Sequence, residues 1–76
     1  MSDNITKETV TLGDALPLEM ARVRDKLIPV YEGIGPAGMF AVMMMKQDLA
    51  RASTAIAIQD TVAMLRVYQA LKDYKL

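Results

Sequence analysis

The chain contains no cysteine, no histidine and no tryptophan. Without cysteine there is no disulfide and no thiolate nucleophile. Without histidine the common zinc constellations and the most frequent general base are excluded too. Charge of either sign is not in excess, because nine basic and nine acidic residues cancel. A neutral chain has no long-range attraction for phosphate backbones or anionic lipid, so neither nucleic acid nor a membrane is expected as a partner. Glycine is scarce, and three of the four glycines fall together at Gly33, Gly35 and Gly38.

What is abundant is apolar side chain, 53% of 76 residues, with seven methionines. A chain of this length makes one small domain and buries only about 60% of the surface its unfolded form exposes. Small domains are commonly held by disulfides, a metal or a second subunit. With no thiol and no imidazole, self-association is the staple that remains, and no cofactor is expected.

Long apolar runs are absent as well. The window Leu27–Met45 carries a single charge, Glu32, but its middle holds Pro29, Pro36 and the three clustered glycines. The unbroken stretch after Gly38 falls well short of the ~20 residues a membrane span needs. The first residues, Met1-Ser2-Asp3-Asn4, are polar with no apolar core of a secretory signal behind them, so a cytoplasmic protein is expected.

Periodicity predicts an all-α fold. Residues 1–13 read as a flexible N-terminal arm with a weak extended signal at Val10 and Leu12. Residues 14–76 read as a three-helix domain. The first helix, about 15–32, has Asp14 as N-cap and Pro17 in its first turn. Its stripe is Leu16, Met20, Val23, Leu27, Val30, Tyr31 and Ile34. The stripe passes through Pro29 in register, so one kinked helix is expected, closed by Gly33, with a break just before Pro29 as the alternative. Arg22, Arg24 and Lys26 point in divergent directions at about 100° per residue and read as solvated surface.

The second helix, about 36–58, opens at Pro36, a favoured first residue. One seam is Gly38, Val42, Met45, Leu49, Ala52 and Ile56, at the spacing of helix-on-helix packing. A second line, Ala50, Ser53 and Ala57, is small. No acid falls on the seam, so the acids read as solvated. The third helix, about 60–73, has Asp60 as N-cap. Ala63, Met64, Val67, Tyr68, Leu71 and Tyr74 share one arc, while Val62 and Leu65 point away. Lys72 and Lys75 suit the negative end of its dipole. Short connections imply an antiparallel bundle in up-down-up order. Ala52, Ala55, the turn at Asp60 and then Met64, Tyr68 and Leu71 resemble the second half of a tetratricopeptide unit over about a third of the chain. The signature of that unit's first helix and a second repeat are both lacking, so no family follows.

Three constellations bear on function. Gly33-Ile34-Gly35-Pro36-Ala37-Gly38 spells the G-x-G-x-x-G of a dinucleotide-binding turn. That turn needs a strand before it and a parallel sheet around it. Here a helical stripe precedes it, so the residues read as a cap, a turn and a close contact. An anionic ligand or nucleotide held at Gly33, Gly35 and Gly38 stays as an alternative function, because a helix N-terminus favours anions. Catalysis has little to work with: Ser53 or Thr54 would need Lys46 or Asp48 as base, and all four read as a solvent-facing stretch. The carboxylates form no metal-binding pattern.

The third constellation is the start of the second helix. Met39–Met45 is apolar all round, and a helix apolar on every side is covered on every side. Two neighbouring helices cannot cover all of it. Met39, Phe40, Met43 and Met44 are therefore the expected interface, with Val62 and Leu65 as further members. The sequence points to a non-enzymatic interaction module that forms a homodimer or higher oligomer and could hold another protein. A membrane-active small protein, acting through Leu27–Met45, is the remaining alternative.

Overall fold

The computed structural model describes residues 11–76. The expected arm lies outside the described residues over positions 1–10. Its last two residues, Leu12 and Gly13, are already helical. The cap explains the earlier start: Thr11 sits in extended backbone and its hydroxyl accepts from the Asp14 N–H at 3.2 Å. Thr11, not Asp14, is the N-cap, and Asp14 instead supplies a negative charge in the first turn. Pro17 thereby moves inside the helix, one turn after Gly13, whose carbonyl it cannot bond. Both residues are exposed, where water can satisfy a carbonyl left without its partner.

Among the described residues three rods make the fold and no strand occurs. The first, α1, joins the stretches Leu12–Arg22, Val23–Leu27 and Ile28–Gly33 without a break. The second, α2, is Pro36–Ala57, and the third, α3, is Thr61–Asp73. They form a small three-helix bundle. The first part of α1 lies along α3, its last part lies along α2, and α2 packs on α3.

The middle stretch of α1 is a π-helix. Its closing bond runs from the Ile28 N–H to the Val23 carbonyl, five residues back. This is how the chain takes Pro29. Proline has no N–H and its ring crowds the carbonyl four residues earlier, so the turn ahead of it widens by one residue. The extra residue rotates everything beyond it. The expected stripe ended on Val30 and Ile34, yet both are exposed. Ile28 is buried instead, and Tyr31 is half-buried against the core.

The core is one cluster: Leu16, Val23, Leu27 and Ile28 from α1, Val42, Met45 and Ala52 from α2, and Val67 and Leu71 from α3. At the α1–α2 turn, the conformational work is done by Gly35 and not by Gly33. Gly35 has φ 88°, the left-handed region that suits glycine, whereas Gly33 is the last residue of α1 with open space around it. Gly38 is fixed by proximity. A Cβ there would land on the Tyr31 carbonyl, so only glycine lets α2 start this close to α1.

The α2–α3 turn shares its caps. Gln59 takes φ 57°, and the Asp60 N–H reaches back to the Ala55 carbonyl at 3.0 Å. That bond closes α2 as a Schellman motif. Asp60 then opens α3, its carboxylate accepting from the Ala63 N–H at 3.1 Å.

Candidate functional site

The outer face of α2 carries large apolar side chains that the described residues leave uncovered. The inner arc of this helix runs Gly38, Val42, Met45, Asp48, Ala52 and Ala55, and all are buried. Turning half a circle away from that arc brings Met39, Phe40 and Met43 to solvent, with Met44 on its edge. Their exposures are 51%, 70%, 54% and 40%. An open cleft of about 680 Å³ lies among Met39, Phe40 and Met43 and the neighbouring Lys46, Gln47 and Ala50. All of its walls come from α2, so neither α1 nor α3 contributes a covering side chain. Unbranched methionine side chains suit a surface that must adapt to what it meets.

Val62 and Leu65 are exposed too, but the structure does not bring them to this cleft. The α2–α3 hairpin is antiparallel, so the start of α3 lies beside the end of α2, far from Met39. Val62 instead borders a separate, smaller hollow with Arg51, Asp60 and Arg66. Val62 and Leu65 thus lie apart from the methionines of α2. Their offset from the α3 arc was legible, whereas their distance from the methionines depends on how the hairpin folds.

The turn at Gly33, Gly35 and Gly38 uses its own donors. The Ile34 N–H bonds the Tyr31 carbonyl at 3.2 Å, the Gly35 N–H bonds Glu32 at 3.1 Å, and the Gly38 N–H bonds Gly35 at 2.9 Å. These amides close α1 and begin α2, which occupies donors that an anion would need.

A polar cluster escaped sequence reasoning. Asp48 is not solvated; it is 5% exposed. Its carboxylate accepts from the Tyr74 hydroxyl at 2.7 Å and from Arg51 at 2.7 Å. Burial, and then the bond to Asp48, push the Tyr74 hydroxyl up to about 12. Arg22 belongs to the same end of the molecule and is only partly solvated. Its guanidinium donates to the carbonyls of Leu71 at 2.9 Å and Tyr74 at 3.0 Å while also bonding Glu19. The Tyr31 hydroxyl donates to the Lys75 carbonyl at 2.7 Å. Side chains from α1 and α2 thus hold the last residues of the chain. The signal for Asp48 was present: it stands three after Met45 and four before Ala52, within the buried arc. Among the described residues no buried side-chain nitrogen or oxygen is left without a partner. The cluster is therefore a satisfied clasp, and its chemistry is that of a structural joint.

Among the described residues no group of His, Cys, Asp or Glu is arranged to hold a metal ion, and no helix is long and apolar enough to cross a membrane. Ser53 and Thr54 are exposed, and Lys46 pairs with Glu32 at 3.7 Å.

No family model matches the chain, and no curated protein and no solved structure matches it either.

Proposed function

We propose that this chain is a non-enzymatic helical interaction module that associates with a second copy of itself through the outer face of α2. One observation carries the reading: four large apolar side chains, Met39, Phe40, Met43 and Met44, stand together in solvent on one helix. Single exposed apolar residues are ordinary, but a contiguous group in a small neutral protein marks a contact surface. Neutrality supports a like partner, because two copies with no net charge do not repel one another. Burial of the Met/Phe group supplies the driving force, and the bundle supplies a rigid platform.

Mass in solution is the direct test. Sedimentation at micromolar concentration is expected to give an assembly heavier than one chain. Replacing Met43 and Met44 together by lysine is expected to yield the single-chain mass with helicity kept. A wild-type chain that sediments at its single-chain mass ends the proposal. Loss of helicity in the double variant would assign the two methionines to the core.

A further inference from the structure

The outer face of α2 has a periodicity of its own. Phe40, Met43, Gln47, Ala50, Thr54 and Ala57 follow one another at steps of three, four, three, four and three, and every one is exposed. This is the spacing of a helix-on-helix seam, on the side away from the core, with Ala50 and Thr54 also bordering a hollow beside Asp60 and Ala63 at the start of α3. Side-chain size is graded along it. The large residues Phe40 and Met43 stand near the start, Gln47 is in the middle, and the small residues Ala50, Thr54 and Ala57 come last.

We infer that the surface meeting this seam is the same seam of a second copy, running antiparallel, with the two-fold axis between Gln47 and Ala50. The inference rests on the self-association proposed above and adds its orientation. In an antiparallel pair, each layer sets a long side chain against a short one. Phe40 meets the partner's Ala57, Met43 meets the partner's Thr54, and Gln47 meets the partner's Ala50. The helix axes can then keep one separation throughout. A parallel pair stacks phenylalanine on phenylalanine at one end and alanine on alanine at the other, which wedges the helices apart. Antiparallel packing also places opposite ends of the two helix dipoles together.

Area points the same way. The Met/Phe group alone offers on the order of a few hundred Å² per chain. A stable interface buries about 800 Å² per partner. Contact must therefore continue past the methionines, and the small half of the seam is where it can. From Phe40 to Ala57 the seam is about 26 Å long at the α-helical rise. No acidic residue lies on it, and the cations on its flanks are neutralised within their own chain, Lys46 by Glu32 at 3.7 Å and Arg51 by Asp48 at 2.7 Å.

The absence of cysteine makes the test clean. Met39→Cys, beside Phe40, and Ala57→Cys are made as separate proteins and mixed, then treated with a short thiol–thiol crosslinker. Sedimentation of each variant is run alongside. The antiparallel pair gives a covalent two-chain product in the mixture. It gives none for Ala57→Cys alone, because the two copies of that position lie about 26 Å apart. Crosslinking of Ala57→Cys to itself overturns the orientation and leaves self-association standing. A two-chain mass with no product in either reaction does the same, by moving the contact elsewhere. A single-chain mass for wild type removes the association and this inference together.

Discussion

The two faces of α2 carry the same spacing and meet different fates. The inner line of Gly38, Val42, Met45 and Ala52 is buried, whereas the outer line of Phe40, Met43 and Ala50 is open. Both read as packing seams. Periodicity states which side chains share a face; it does not state whether anything covers that face. Coverage is a matter of how many helices are at hand, and the described residues supply two neighbours to α2. The inner face even accommodates a carboxylate, Asp48, because Tyr74 and Arg51 reach it there. The outer face keeps its methionines in water because nothing among the described residues covers them.

Truncating one methionine on each face is the sharpest way to break that contrast. Met45→Ala, in the core, is expected to cost about 2–5 kcal/mol. Met43→Ala, measured at a dilution where copies are apart, is expected to stay within about 0.5 kcal/mol. Denaturant midpoints of the two variants decide it, and equal losses would mean the faces are energetically alike. Gly38→Ala is next in size. Its new methyl group must displace the Tyr31 backbone, and overpacking of this kind costs about 1–3 kcal/mol. Thermal unfolding measures it, with Gly33→Ala as the control that meets nothing within 4 Å.

The clasp around Asp48 sharpens the inner face further. Tyr74→Phe withdraws one donor from a buried carboxylate, with an expected loss of about 1–2 kcal/mol. It also changes the alkaline limb of stability. The Tyr74 hydroxyl is raised in the folded chain, to about 12, so its contribution is complete below the ordinary tyrosine range and disappears as pH rises through the folded value. Wild type is expected to lose stability between roughly pH 10 and 12 more steeply than Tyr74→Phe. Chemical denaturation across that range, with tyrosine absorbance followed in parallel, reads the difference. Parallel slopes would remove Tyr74 from the account.

The smallest effect expected is a gain. Gln59 occupies the left-handed region at φ 57°. Gln59→Gly removes that strain and is expected to stabilise the α2–α3 turn by up to about 1 kcal/mol. A lowered melting temperature would show that the Gln59 side chain makes a compensating contact.

Much of the bundle was legible before any coordinates. Pro36 and Asp60 announce their helix starts by local chemistry, and Gly38 sits on the inner seam where close approach requires it. Three features depart from the expected pattern, each for a physical reason. The stripe of α1 kept Tyr31 but lost Val30 and Ile34 and gained Ile28, because the π-turn ahead of Pro29 adds a residue to the helical count. A periodicity argument that assumes a uniform helix cannot register that slip. Asp48 and Arg22 read as solvated because their partners, Tyr74 and the carbonyls of Leu71 and Tyr74, are distant in sequence. Gly33, expected as the cap, is the last residue of α1, one past the expected end at residue 32, and the left-handed turn falls on Gly35 alone.

At the candidate site the division is similar. Phe40 and Met43 stood out from composition alone, yet their grouping away from Val62 and Leu65 depends on the direction of the α2–α3 hairpin.

By itself, the sequence determined that this protein is helical, where its second and third rods begin, and that it holds more apolar side chain than a three-helix core can use. Those are properties of neighbours within a few positions, set by caps, proline, glycine and spacing. Only the tertiary structure decided which face of each rod is covered, which acid is buried and which carbonyls Arg22 completes. Such contacts join residues that are far apart along the chain, and their geometry exists only once the rods have packed.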